Sequence, residues 1–199
     1  MFPRASVVDA VAIGQRLPGY SVIVEYELQK KDLVMVDAPV AGHEITVEQV
    51  GSLAEHHDLF IKTYATYFWA EWPEVVDSLA LSMIGSYLDK TLPVAKGFKI
   101  LNKGKLVGML SWFTKKDEKD LPIDWISWIW LSRDLSKNER KAAQREVCRL
   151  IQGFEHDRAR CTVRSWNARS HGLFRKLGFV PVSINILKGS KTGQVSHGV

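Results

Sequence analysis

The chain has 199 residues, of which 46% are apolar, and it carries a formal net charge of +5. This length suits one well-packed domain and is marginal for two. The sequence contains no run of about twenty apolar residues, the length that spans a bilayer, so a membrane protein is not expected. Met1–Gly14 lacks the basic start and long apolar stretch of a signal peptide, so we expect a cytoplasmic protein.

Charge is unevenly distributed along the chain. Residues 1–132 carry 13 Lys and Arg against 17 Asp and Glu, which gives −4, whereas residues 133–199 carry 14 against 5, which gives +9. The basic part predicts either an anionic partner or a solvated helix face in which Glu139 and Glu146 interrupt the basic residues. No stretch alternates basic residues with aromatic ones in a recognisable nucleic-acid motif, so nucleic acid is not an expected partner.

The two cysteines, Cys148 and Cys161, fall in a predicted helix and a predicted strand. Two reduced thiols in the core, in a reducing compartment, are the expected arrangement. Neither cysteine has a His–Cys spacing typical of a zinc site, so no metal is expected.

The first half of the chain opens with two short runs, Ser21–Leu28 and Leu33–Val36, which predict a hairpin. Thr46 and Gln49 have the spacing of a capping box and predict the start of a helix. Apolar residues then recur at helical spacing until Trp72-Pro73, and a second helix is expected to reach Leu88. Five aromatic side chains of this region are candidates for an acyl or aryl pocket or for core packing: Tyr64, Tyr67, Phe68, Trp69 and Trp72.

The second half predicts an alternation of strands and helices. Phe98–Leu101 and Leu106–Phe113 form a hairpin with Gly104 in its turn, and Asp124–Leu131, apolar on both faces, is a central strand. The remaining elements are the amphipathic helix Ser136–Phe154, the strand Arg160–Trp166, the helix Ala168–Leu177 ended by Gly178, and the strand Phe179–Leu187.

This order predicts a single α/β domain with a mixed central sheet flanked by helices. We expect residues 1–45 to form an N-terminal β hairpin extension packed on the domain, 46–187 to form the domain itself, and 188–199 to form a flexible tail. The strands Asp124–Leu131 and Arg160–Trp166 should be parallel neighbours joined by the intervening helix.

The stretch N-A-R-S-H-G-L-F-R-K-L-G-F, Asn167 to Phe179, resembles a motif of the GNAT family, the GCN5-related N-acetyltransferases. The matching residues are Asn167, Ser170, Leu173, Phe174, Lys176, Leu177, Gly178 and Phe179. The resemblance covers roughly the last hundred residues and implies a coenzyme A site near Asn167, Ser170 and Phe174. Asn167 would lie at the C-terminal end of a strand, where α/β sheets bind ligands.

The same resemblance implies a glycine-rich loop after the central strand, which would hold the coenzyme A pyrophosphate at a helix N-terminus. In this chain the corresponding window begins at Ser136 and Lys137 and ends at Lys141, and no glycine lies between Leu121 and Gln152. Ser136 and Glu139 have the spacing of a capping box instead. The side chains of Ser136, Lys137 and Lys141 are candidates for contact with the phosphates, and a capped structural helix is the alternative.

The resemblance also implies catalytic groups. A base often lies near the start of the central strand, which points to Asp124, and an ordinary strand-edge carboxylate is the alternative reading. Backbone donors from a bulge would come from Trp130, Leu131 and Ser132. The family often uses a tyrosine as acid where this chain has Phe174. His171, in the same short helix, is expected on the surface.

Two functions remain open. The first is an N-acyltransferase that transfers an acyl group from acetyl-CoA, acyl-CoA or another acyl carrier to a small-molecule or protein amine. Ile123–Ile126 resembles the Asp-bearing region of toxin-activating lysine acyltransferases, which use acyl carrier protein. The second is a catalytically degenerate GNAT fold with a structural or binding role, similar to the acetyltransferase-like internal virion protein of short-tailed phages. A homodimer or larger assembly is possible in either case.

Overall fold

The computed structural model describes residues 20–36, 44–51, 53–61, 85–86, 89–164 and 167–188. Its strands are β1 (Tyr20–Gln29), β2 (Ile45–Val50), β3 (Lys96–Asn102), β4 (Lys105–Lys116), β5 (Pro122–Leu131), β6 (Arg158–Arg164) and β7 (Val180–Lys188). Two helices follow the central strands, α1 (Lys137–Gln152) and α2 (Ala168–Lys176). None of the helices in these ranges is long and apolar enough to cross a membrane.

The described strands form one mixed sheet in the order β2-β3-β4-β5-β6-β1-β7. The pair β5–β6 is parallel and the other neighbouring pairs are antiparallel. The predicted fold class, an α/β domain with a mixed central sheet flanked by helices, is therefore confirmed. The predicted parallel neighbours are confirmed as well, and α1 is the crossover between them.

Strand β5 occupies the middle of the sheet because its apolar side chains serve both faces. Ile126 and Ile129 belong to or pack against the main core, which also contains residues of α1 and α2 such as Val147 and Phe174. Trp128 belongs to a second core on the other face, with Leu53 and Phe60 as neighbours. The sequence prediction of a central strand is thus confirmed.

The predicted hairpin β3–β4 is also confirmed. Its two-residue turn places Lys103 at φ 50° and Gly104 at φ 76°. Two consecutive residues with positive φ are the requirement of the tight turn that matches the twist of the flanking strands.

The predicted N-terminal hairpin is wrong. β1 is a strand as expected, but it pairs with β6 on one side and β7 on the other. Leu33–Val36 is not a strand: the chain turns through a short 3-10 helix, Lys30–Asp32, and the Val34 N–H then donates to the Leu177 carbonyl over 3.0 Å. An interior position suits β1 because its alternate side chains, from Val22 to Leu28, are at most 1% exposed.

The capping box predicted at Thr46 and Gln49 is wrong as well. Both residues lie within β2, which pairs antiparallel with β3 along its whole length. Ile45, Thr46 and Val47 are β-branched. Their side chains have restricted χ1 rotation, which favours a strand over a helix. Helical structure begins after β2, at Leu53, and continues to residue 61. The predicted break at Trp72-Pro73, the aromatic residues from Tyr64 to Trp72 and the tail 188–199 lie outside the described residues, save for Lys188 at the end of β7.

An ionic network lies on the face of β1 opposite its buried residues. Arg160 of β6 donates Nη1 to Glu25 over 3.1 Å and to Glu118 over 2.8 Å, and its Nε donates to Glu27. Glu118 belongs to the loop between β4 and β5, so these bonds hold that loop over β6. The carboxylates raise the pKa of Arg160, with the hydrogen bond to Glu118 as the largest cause.

Two carboxyl groups of this loop have depressed pKa values. The hydrogen bond from Arg158 lowers the pKa of Asp117 to about 2, and the hydrogen bond from Arg160 lowers the pKa of Glu118 to about 2. Asp117 also accepts from the backbone N–H groups of Lys119 and Leu121, each over 2.9 Å. Its side chain has no exposed surface.

We expect the free energy of unfolding to fall as the pH is lowered from about 5 to about 2. The ordinary pKa values of these carboxyls, 3.8 for Asp117 and 4.5 for Glu118, describe the unfolded chain, and both are higher than the folded values. The ion pairs therefore stabilise the fold above the unfolded values, and this stabilisation is lost as the folded carboxyls become protonated. Urea unfolding at each pH measures the effect. A variant combining Asp117→Asn with Glu118→Gln should show a flatter pH dependence, and the same dependence as the wild type would contradict the assignment.

Candidate functional site

The sheet opens between its two parallel strands. β5 and β6 share only two residue pairs, Asp124–Ala159 and Trp125–Arg160. β5 then continues to Leu131 with β4 as its partner, and β6 continues to Arg164 with β1 as its partner. The two strands therefore separate towards their C-terminal ends. The gap lies where open α/β sheets bind ligands, and both helices begin at this edge.

The N-terminus of α1 lies at this edge and is closed by its own side chains. The Ser136 Oγ accepts from the Glu139 N–H over 3.3 Å, and Glu139 Oε2 accepts from the Ser136 N–H over 2.9 Å. This confirms the capping box predicted for these two residues. The other carboxylate oxygen of Glu139 accepts from Asn102 Nδ2 over 2.8 Å. Glu139 thus fixes a negative charge at the electropositive helix end, where an anionic ligand would otherwise be favoured.

The N-terminus of α2 is capped by Asn167. Its side-chain oxygen accepts from the Ser170 N–H over 3.1 Å. Asn167 thus lies at the start of the helix that follows β6, at the same sheet edge as Ser136, and both Asn167 and Ser170 are half-buried. The positions that the family motif implies are therefore close to the gap. In this structure Asn167 acts as a helix cap.

Phe174 lies within the main core. Its side chain is 5% exposed and stacks on Tyr26, with ring centroids 6.2 Å apart and planes 22° apart. The Phe179 ring contacts the Phe174 ring edge-on, with the ring centroids 5.0 Å apart. Phe174 carries no ionisable group, and its ring packs between α2 and the sheet.

The β-bulge in β5 does not lie at Trp130–Ser132, where the family resemblance implies it. Trp130 pairs with Met109 and Leu131 with Gly108, in regular register, and the Ser132 N–H donates to the Val107 carbonyl over 2.8 Å. The register shifts earlier, because Ser111 pairs with Trp128 and Trp112 with Ile126. The extra residue is therefore Ser127, and the prediction of a bulge at Trp130–Ser132 is wrong. A bulged residue leaves its own backbone groups outside the ladder.

Asp124 lies at the closed end of the gap. Its side chain is fully buried, and Oδ2 accepts from the His156 backbone N–H over 2.8 Å. The Oδ1 atom lies 3.2 Å from His156 Nδ1 and accepts from Thr114 over 3.4 Å. Along β5, Asp124 is roughly 25 Å from Ser132, given the rise per residue of a strand. The structure thus places the predicted base among protein partners and far along the strand from Ser132, one of the predicted backbone donors.

We expect Asp124→Asn to lower the free energy of unfolding by about 1–3 kcal/mol, because an NH₂ donor replaces one of two buried oxygen atoms that accept hydrogen bonds. Urea unfolding measures this loss. A purely structural role predicts that kcat of the folded variant stays within about threefold of the wild type, whereas loss of a general base lowers it by about 10²–10⁴. We expect the structural outcome because the carboxylate has no exposed surface. Thr114→Val is the control, since it removes only the longest of the bonds to Asp124.

His171 is buried, which contradicts the expectation of a surface residue. It is 5% exposed, and its Nε2 donates to the Arg164 carbonyl over 3.0 Å. Because that tautomer leaves Nδ1 as an acceptor, the Tyr26 hydroxyl donates to Nδ1 over 2.7 Å. Burial raises the pKa of Tyr26, so the phenol remains protonated. The alternation of apolar residues in β1 indicates that Tyr26 lies on a buried face, but nothing in the sequence of α2 indicates its contact with His171.

A basic cleft runs along the flank of α1. It has a volume of about 640 Å³ and is lined by four cationic side chains, Lys137, Arg140, Lys141 and Lys176. The structure thus brings together two predicted phosphate contacts, Lys137 and Lys141, and adds Lys176 from the end of α2. Lys176 belongs to the family motif. Because it is far from α1 in the sequence, the sequence did not indicate that it lines the same cleft.

The structure shows no metal site among the described residues, since no three His, Cys, Asp or Glu side chains there are placed to hold an ion. Both cysteines are free and buried, and burial raises the pKa of each thiol. The candidate site therefore consists of the β5–β6 gap, the capped helix ends beside it and the basic cleft.

No family model matches the sequence, and no curated protein matches it. Among solved structures, the chain is similar to a functionally unknown conserved protein of Staphylococcus epidermidis, with a TM-score of 0.55 and 13% identity over 94% of this chain and 66% of that one. It is also similar to a GCN5-related N-acetyltransferase of Kribbella flavida, with a TM-score of 0.50 and 13% identity over 90% of this chain and 63% of that one. The chain thus spans just under two thirds of the length of these two proteins. The likeness concerns the fold, and the protein has the mixed α/β fold of the GNAT N-acetyltransferases.

Proposed function

We propose that the protein is an N-acyltransferase that transfers an acyl group from an acyl-CoA thioester, such as acetyl-CoA, or from another acyl carrier, to an amine. The observation that carries this proposal is the separation of β5 and β6 after the pair Trp125–Arg160. Beyond that pair, the backbone groups of β5 that point towards β6 have no partner on it. An extended ligand with amide groups, such as a pantetheine arm, is suited to pair with such an edge.

The bulge at Ser127 supports the same chemistry. When an amine attacks a thioester, negative charge develops on the carbonyl oxygen, and backbone N–H donors stabilise it. Ser127 is two residues beyond the last β5–β6 pair, so the bulge lies near the closed end of the gap. The backbone of a bulged residue is left out of the ladder and is therefore a candidate donor. The Ser127 hydroxyl is hydrogen-bonded to Ser111 over 2.9 Å, which fixes the side chain away from this role.

The absence of an ionisable group on Phe174 is compatible with thioester chemistry. A thiol has an ordinary pKa of about 8.5, so a departing thiolate leaves readily and takes a proton from water at neutral pH. The transfer requires loss of a proton from the attacking ammonium, and Asp124 is fully buried among its protein partners. No finding supports the alternative of a virion component.

The proposal is tested by release of free thiol from acetyl-CoA in the presence of amines. The panel should include an aminosugar, a polyamine, a free amino acid and a lysine-containing peptide, each with a control lacking the amine. Amine-dependent thiol release with mass spectrometric detection of the acylated amine is the expected result. Ser127→Ala keeps the backbone N–H and should retain activity, whereas Ser127→Pro removes it and should lose activity, with folding checked by circular dichroism. Equal activity of the two variants would contradict the role of the bulge.

A further inference from the structure

The flank of α1, rather than its N-terminus, offers the charge that a phosphorylated ligand requires. Lys137, Arg140 and Lys141 occupy the first two turns of α1, and Lys176 reaches the same cleft from α2. None of the described residues that line the cleft is acidic. The three lysines form no ion pair with a described residue. Four cations that converge on one opening create a strongly positive site for a multiply charged anion.

The helix end itself is unsuited to that anion. Glu139 is held there by the Ser136 N–H at 2.9 Å and by Asn102 at 2.8 Å, so its carboxylate cannot leave without breaking two bonds. A phosphate group at this position would face a fixed negative charge instead of free N–H donors. The phosphate-binding capacity of this region therefore lies in the cationic side chains on the flank of the helix.

The orientation of Arg140 supports a binding role for the cleft. Its Nη2 donates to the carbonyls of Arg133 and Leu135 over 3.0 and 3.1 Å, which fixes the guanidinium against the loop before α1. Its Nε is buried and has no acceptor among the described residues. A buried donor without an acceptor is costly, so a ligand oxygen that accepted this bond would gain from it.

The remaining lining of the cleft limits the kind of ligand. Leu135 and Val36 supply apolar surface beside the cations, and Gln144 supplies an amide. The volume of about 640 Å³ is large enough for a nucleotide-sized group. Phosphates beside a flat, partly apolar base match this combination of charge, amide and apolar surface.

We infer that the cleft binds the phosphorylated nucleoside end of the acyl donor through the side chains of Lys137, Arg140, Lys141 and Lys176. This inference rests on the proposed function, since it assigns a place to one part of the donor. The phosphates are held by side-chain cations on the helix flank, and the capped N-terminus of α1 does not contact them.

Calorimetric titration with adenosine 3′,5′-bisphosphate and with acetyl-CoA tests the inference on the full-length protein. Lys141→Glu and Lys176→Glu should each weaken the binding of both ligands about tenfold or more, because each reverses a charge beside the phosphates. Lys119→Glu makes the same charge change in the exposed loop between β4 and β5, and it should leave both affinities within about twofold. Glu139→Gln should also leave them within about twofold, because the helix end is not the phosphate site.

The outcomes separate this inference from the proposed function. Binding of acetyl-CoA that is unchanged by Lys141→Glu and Lys176→Glu, or that tightens severalfold in Glu139→Gln, would overturn the cleft as the phosphate site and leave the acyltransferase proposal standing. The cleft would also be overturned, and the acyltransferase proposal would still stand, if the wild type turned over S-acetylpantetheine, which has no phosphate, but did not bind the bisphosphate. Lysine-dependent binding of the bisphosphate without turnover of either thioester would support the cleft and count against the acyltransferase.

Discussion

Tyr26→Ala is expected to lower the free energy of unfolding by about 3–5 kcal/mol, the usual cost of removing a large aromatic side chain from a core. Tyr26 has no exposed surface and lies on β1, between β6 and β7. Its ring stacks on Phe174 at 6.2 Å, and its hydroxyl donates to His171 over 2.7 Å. The substitution therefore removes a contact between the interior of the sheet and α2. Urea unfolding followed by circular dichroism measures the loss.

Two further variants separate packing from hydrogen bonding at this position. Tyr26→Phe keeps the ring and removes only the bond to His171, so a loss of about 1 kcal/mol is expected. Ile23→Ala changes the same strand on its half-buried face and should cost less than Tyr26→Ala. If Tyr26→Ala proved no more costly than Ile23→Ala, the interior position of β1 would be contradicted.

Gly178→Ala is expected to destabilise the protein by about 2–5 kcal/mol. Gly178 has φ +94°, a conformation that costs an alanine about 1–2 kcal/mol. A Cβ atom there would lie 2.3 Å from the Asp32 carbonyl oxygen, which belongs to the turn after β1. Because the obstacle is backbone, the turn or the end of α2 would have to move.

Gly172→Ala, within the helix that ends before Gly178, is the matched control. A Cβ at this position meets nothing within 4 Å, and alanine favours a helix over glycine by about 0.5–1 kcal/mol. The control should therefore raise the melting temperature while Gly178→Ala lowers it. Opposite signs for two Gly→Ala changes six residues apart are the distinctive result, and a loss of stability in both would contradict the difference in backbone geometry.

The elements that the sequence predicted correctly are those whose signals are local. The turn at Lys103-Gly104, the capping box of Ser136 and Glu139 and the helix stop at Gly178 each depend on a few adjacent residues. The central position of β5 followed from apolar residues on both faces. In each case the local preference and the tertiary structure agree.

The errors concern pairings between distant residues. A strand pattern in Ser21–Leu28 specifies a strand but not its partners, and the sequence alone favours pairing with the adjacent run Leu33–Val36. The real partners, β6 and β7, pair with residues of β1 that lie at least 129 positions earlier in the chain. Thr46 and Gln49 have the spacing of a capping box, but they lie in a segment with β-branched residues. This segment pairs with β3 and is therefore a strand.

The candidate site was predicted in part. The motif from Asn167 placed the start of α2 beside the gap, and Ser136, Lys137 and Lys141 lie at the start of α1. The burial of Asp124 and His171 was not predictable, because it depends on His156 and Tyr26, which reach them across the fold. The bulge at Ser127 depends on register with β4, which one strand's sequence does not specify.

Titration of the wild-type protein with acetyl-CoA, followed by isothermal calorimetry, tests the central claim most directly. If the gap between β5 and β6 holds an acyl thioester of coenzyme A, one molecule should bind per chain with saturable heat. Bound ligand should also raise stability, by about 2.7 kcal/mol at a hundredfold excess over Kd. Absence of heat and of any thermal shift at millimolar acetyl-CoA would contradict the claim that this protein uses acyl-CoA.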